Sequence, residues 1–147
     1  AFGAEQGEQI SACVEPAMCP LTSSEASVTG NLNQAWYEGA GCGTLRFGGQ
    51  GAGRYPTAAN VLRDVLALRE GARYMLPDDC PDAGVRLMDA QRYYLRLPIG
   101  MPLPEWAGAG CDTGEYRVAA TGPVPPQAVY AVASENKNVF FARLQKE

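Results

Sequence analysis

The stretch "RFGGQGAGRYPTAANVLRDV", Arg46 to Val65, decides how the chain is read. Gly48, Gly49, Gly51 and Gly53 crowd into six residues, and a helix-like pattern starts directly behind them. A glycine held in one backbone conformation costs about 0.5–1 kcal/mol relative to alanine, so this density demands a geometric reason. Either the backbone takes positive φ there, or a neighbour comes close. Pro56 suits a first helical turn, where its missing N–H loses no hydrogen bond. Ala58, Val61, Leu62, Val65, Leu66 and Leu68 then recur at helical spacing, with Arg63, Asp64, Arg69 and Glu70 mostly on the other side. The spacing predicts an amphipathic helix over about 56–70, closed by Gly71.

Two readings of the junction stay open on these grounds. Bare amides at the start of a helix attract anions, so a pyrophosphate or ribose could sit there. A tight strand-to-helix turn packed on its own chain needs no ligand. The order Gly49-x-Gly51-Ala52-Gly53-x-x-Pro56 is not the G-x-x-x-x-G-K-[ST] of a phosphate loop, and it is not the dinucleotide fingerprint either, because Pro56 stands where that pattern's final glycine would fall.

Upstream, "NLNQAWYEG" and "CGTLRFGG" read as two strands joined antiparallel through Gly39-Ala40-Gly41. Trp36 and Tyr37 are expected in the core or on a packed sheet face. "EQISACVEPAMCP" alternates loosely, with Ile10, Ala12 and Val14 on one face of a half-buried strand. "LTSSEASVTG" reads as loop. Downstream, Tyr74–Gln91 carries prolines and acidic residues and reads as a connector. Asp78, Asp79 and Asp82 lack calcium-loop spacing and read as a solvated turn. "RYYLRLPI", "GEYRVAATGPV", "AVYAVAS" and "NVFFARLQ" all read as strands, so residues 92–147 form a small β-rich lobe in which Trp106 pins a proline-rich loop.

Composition sets outer bounds. The 147 residues hold 12 Lys plus Arg against 16 Asp plus Glu, a net charge of −4, with no basic face for nucleic acid. No apolar run is long enough to cross a bilayer. Histidine is absent, which removes Ser–His and Cys–His nucleophiles and disfavours a zinc site. Cys13, Cys19, Cys42, Cys80 and Cys111 have no CxxC spacing and are expected to be reduced, mostly buried thiols of a cytoplasmic protein.

"LRFGGQGAGRYPTAANVLRDVL" closely resembles the segment of homoserine dehydrogenases that ends their substrate domain and folds back on the nucleotide domain. "SVTGNLNQAWYEG" and "CVEPAMCPLTSSEASVTG" resemble the family's approach to it, and "RYYLRL" resembles the opening strand of the ACT-type regulatory domain that many long members carry. The resemblance covers about Gly7–Leu97 and is sharpest over Gly49–Ala58.

The resemblance implies an α+β fold: a mainly antiparallel sheet with one principal amphipathic helix, then a small ACT-like lobe. It divides the chain into 1–73, the C-terminal part of a substrate and dimerisation domain; 74–91, a linker; and 92–147, the lobe. The activity implied for the whole enzyme is interconversion of aspartate semialdehyde and homoserine with NAD or NADP, a step toward threonine and methionine. The Rossmann domain and the segment with the family's catalytic lysine have no counterpart here, so this chain holds no catalytic residue and is expected to be inactive alone. Gly51, Ala52, Gly53 and Thr57 are the positions implied to approach the cofactor. The implied partners are the nucleotide-binding domain of the same protein and a second copy in a homodimer, with no metal, nucleic acid or membrane. In place of the usual D-x-P-G-V-L helix start, the lobe continues as "PIGMPLPEW". A reading from another class makes the chain a stand-alone amino-acid-binding or interaction module.

Overall fold

A computed structural model describes residues 1–73 and 82–145. Residues 74–81 of the expected connector, with Asp78, Asp79 and Cys80, lie outside the described residues, and Asp82 lies within them. The fold is α+β, as the pattern of elements implies. The chain divides into two compact units, residues 1–20 with 81–147 and residues 21–80. The first twenty residues thus group with the C-terminal lobe.

In the first unit, β1 (Phe2–Gln6) and β2 (Gln9–Cys13) pair antiparallel, and β6 (Gly84–Val85) adds to β2 in parallel. Gly7, at φ 59°, opens the two-residue hairpin loop that this tight connection requires. A second sheet runs in the order β3 (Ala17–Met18), β10 (Phe140–Leu144), β7 (Tyr93–Pro98), β9 (Tyr116–Ala120), β8 (Cys111–Thr113). Leaving aside the edge strand β3, strands of the lobe stand in the order fourth, first, third, second, that of a split β-α-β fold. Strand β7 alternates strictly: Tyr93, Leu95 and Leu97 are fully buried, and Tyr94, Arg96 and Pro98 are half-buried.

Helix α2 (Pro126–Glu135) covers the buried face, placing Val129 with Tyr93, Leu95 and Val124 in the core. This corrects the sequence reading of "AVYAVAS" as a strand. Pro126 fits the first helical turn, and its buried side chain shares one helix face with Val129, three residues on. A short run of small apolar residues satisfies either period, and here the proline at its start selects the helix. Residues 99–110 form no helix. Gly100 turns at φ 93°, and Trp106 and Ala107 pack against the core from this loop. A Cβ on Gly108 would lie 2.5 Å from the Ala120 carbonyl, so only glycine lets the loop lie on the sheet.

In the second unit, β4 (Leu32–Gly39) and β5 (Gly43–Gln50) form an eight-pair antiparallel hairpin. Its loop is Ala40-Gly41-Cys42, followed by Gly43 in the left-handed region at φ 63°. Helix α1 (Arg54–Arg69) follows and lies within two residues of the predicted span. Gly71 at φ 84° closes it: its N–H reaches the Leu68 carbonyl, and Ala72 N–H reaches Ala67, the paired bonds of a Schellman end.

The apolar residues of this unit are not in a core. No residue of α1 is buried, and Val61, Leu62, Val65, Leu66 and Leu68 are all exposed. Trp36 and Tyr37 are 40% and 59% exposed, against the expectation of core positions. The thiols also differ from expectation: Cys42 and Cys111 are exposed, and Cys13 and Cys19 are half-buried.

Candidate functional site

The hairpin ends directly in the glycine turn. Leu32 pairs with Gln50, and one step further the Gly51 amide donates to the Asn31 carbonyl at 2.8 Å. The Asn31 side-chain amide then donates to the Ala52 carbonyl at 3.0 Å. Two bonds at one asparagine therefore tie the turn to the residue that precedes β4.

Each glycine of the turn answers to a different demand. A Cβ on Gly51 would come within 2.6 Å of the Asn33 carboxamide carbon, so Asn33 occupies the space a side chain would need. Gly53 has φ 108° and ψ 152°, a conformation closed to L side chains, and it is the N-cap of α1. Gly48 has only an ordinary 3.7 Å contact to the Asn33 carbonyl, and Gly49 has nothing within 4 Å. Of the two readings left open by the sequence, the tight turn accounts for Gly51 and Gly53 without a ligand. Among the described residues, nothing lies where a side chain at Gly49 would stand.

Behind the turn, the Thr57 amide donates to the Gly53 carbonyl at 3.1 Å, the first bond of the helix. No side chain caps this end and no acidic residue occupies the first turn. No residue of its own first turn therefore offsets its partial positive charge. Arg54 adds a full charge and lies 4.7 Å over the Tyr55 ring. Gly51, Ala52, Gly53 and Thr57 are thus brought together as one exposed cradle of backbone, with no side-chain acid or base among them. On the adjoining hairpin, Asn33, Gln34, Ala35, Phe47, Gly48 and Gly49 line a shallow concavity of about 360 Å³.

The arrangement can bind and position but supplies no proton-transfer group. Sequence reasoning did not single out Asn31 and Asn33, which shape the turn. Their signal was present as "NLN", whose first Asn lies opposite the turn and whose second pairs with Gly49. Among the described residues, no cluster of His, Cys, Asp or Glu could hold a metal ion, and no helix is long and apolar enough to cross a membrane.

Comparison with known proteins follows the same lines. The sequence model of the family described as homoserine dehydrogenase matches residues 3–66. A homoserine dehydrogenase of Mycobacterium bovis is 42% identical over 97% of this chain, which spans 29% of that relative. One from Corynebacterium glutamicum is 44% identical over 57 residues, 39% of this chain and 13% of the relative. The crystal structure of a homoserine dehydrogenase from Thiobacillus denitrificans superposes with a TM-score of 0.64 at 21% identity, covering 98% of this chain and 41% of that one. The fold is therefore shared with that structure.

Proposed function

We propose, for a chain homologous to homoserine dehydrogenases along nearly its whole length, that it works as the C-terminal part of such an oxidoreductase. The whole enzyme would interconvert aspartate semialdehyde and homoserine in the cytoplasm, on the route to threonine and methionine. The observation that carries this reading is the 42% identity over 97% of the chain, glycine turn included. A nicotinamide cofactor would donate the hydride as NADH or NADPH and accept it as NAD or NADP when bound. The exposed backbone cradle of Gly51, Ala52 and Gly53, at the uncapped positive end of α1, fits the approach of such a group. This chain's part is to position: Asn31 ties the turn in place, Asn33 fills the space beside Gly51, and Thr57 offers a hydroxyl one turn into the helix.

The exposed apolar stripe of α1 supports docking on the nucleotide-binding domain of the same protein, with dimerisation through the substrate-domain sheet. We read the lobe as ACT-like from its strand order, with the loop at residues 99–110 in place of the first helix. The amino-acid-binding alternative rests on this lobe. Titration calorimetry of the chain with threonine and methionine bears on it: heats of binding together with a full-length protein inactive on aspartate semialdehyde would favour the alternative, and an active full-length protein favours the enzyme reading.

The direct test is an assay of NAD(P)H oxidation driven by aspartate semialdehyde. The full-length protein should turn over, and this chain alone should not. A full-length protein without activity on that substrate would overturn the proposal.

A further inference from the structure

The most heavily buried ionic group of the described chain lies far in sequence from the glycine turn. Glu15 stands between β2 and β3, where the chain passes from the three-stranded sheet to the edge of the five-stranded one. Its side chain is 0% exposed. Three groups from three elements of the lobe converge on its carboxylate. Tyr130 of α2 donates its hydroxyl to Oε2 at 2.7 Å, and Tyr93 of β7 donates to the same oxygen at 3.2 Å. Arg143 of β10 forms an ion pair with Oε1 and is itself only 8% exposed. The Arg143 guanidinium is held in turn by the Phe2 ring of β1, 4.1 Å from its centroid, and it donates to Cys13 Sγ at 3.7 Å.

The backbone follows the same path. Arg143 N–H donates to the Pro16 carbonyl at 2.9 Å, and Gln145 N–H donates to Met18 at 3.0 Å, so β3 completes the lobe's sheet. Both oxygens of Glu15 are thus engaged by the lobe, and the residue itself falls in the stretch that matches the homoserine dehydrogenase family. All three partners lie beyond that stretch.

We propose that Glu15 is a coupling residue that locks the C-terminal lobe to strands β1 to β3, so that the two open and close as one cooperative body. On this account the lobe is not a hinged module. Anything that binds or distorts it acts directly on β2. A buried carboxylate deprived of one partner keeps its desolvation cost, so the cluster favours an all-or-none state. The proposal stands apart from the cofactor reading, since no member of the cluster belongs to the glycine turn.

Hydrogen exchange on the 147-residue chain tests it. Glu15→Gln keeps the shape and removes the charge. It should speed exchange together in β2, β7, α2 and β10, by roughly a hundredfold if a buried pair's usual worth is lost. Exchange in β4, β5 and α1 should not change. Tyr130→Phe removes one hydrogen bond and keeps the ion pair, so it should produce the same pattern at roughly tenfold or less. This milder variant decides the matter if Glu15→Gln does not fold. Faster exchange confined to residues 13–18, with β7 and α2 at their original rates, would overturn the proposal in either variant.

Discussion

Gly51 and Gly53 look alike in sequence and differ in what they require. At Gly53 the backbone itself excludes a side chain, since φ is 108°. Gly53→Ala should destabilise the chain by about 1–3 kcal/mol. At Gly51 the obstacle is the Asn33 side chain, so Gly51→Ala should also destabilise, and adding Asn33→Ala should recover part of the loss. Gly49→Ala meets nothing within 4 Å and should be neutral or slightly stabilising, by up to about 1 kcal/mol. Urea denaturation of the three variants checks the order. A Gly49→Ala chain as unstable as Gly53→Ala would contradict this account of the turn. The sequence announced that a geometric need existed here, but not which neighbour imposed it, because the Asn33 contact spans 18 positions of chain between Asn33 and Gly51.

Among the elements, legibility followed the strength of the periodic signal. Helix α1 has a long apolar stripe, a proline near its start and a glycine at its end, and its span was readable to within two residues. The β4–β5 hairpin was readable from its alternation and its glycine loop. Helix α2 was not, because its ten residues are few and its Ala, Val and Tyr side chains fit a strand equally well. The burial of its Val129 is a fact of tertiary packing. The same contrast sets the energetics. Val129→Ala removes buried methyl groups and should cost about 1–3 kcal/mol. Val65→Ala on α1, where Val65 is 56% exposed, should cost under about 0.5 kcal/mol in this chain. Thermal unfolding followed by circular dichroism separates the two. Equal losses would mean that α1 is packed in this chain as α2 is.

For the whole molecule, the Glu15 cluster predicts a pH response. Burial first, and then the Glu15 carboxylate, push Tyr93 up to about 12. Burial and the hydrogen bond to Glu15 raise Tyr130 in the same direction. The folded state therefore holds these protons more tightly than the unfolded chain, where tyrosine titrates near 10. Their contribution is complete below about pH 10 and is lost as pH rises toward 12. The melting temperature should fall across that window, and Tyr93→Phe with Tyr130→Phe should flatten the fall. A slope unchanged by the double replacement would show that other groups control it. The cluster was invisible in the sequence, where Glu15 and Arg143 are 128 positions apart.

On the function proposed above, the backbone cradle at Gly51–Gly53 meets a nicotinamide cofactor in the full-length protein. Ala52 is exposed, so a larger side chain there need not disturb the chain's own packing. The decisive measurement is the KM for NAD(P)H of full-length Ala52→Leu. A rise of roughly tenfold or more at unchanged stability is predicted, which corresponds to a loss of about 1.4 kcal/mol or more in binding. A KM equal to that of the unaltered enzyme would contradict the claim.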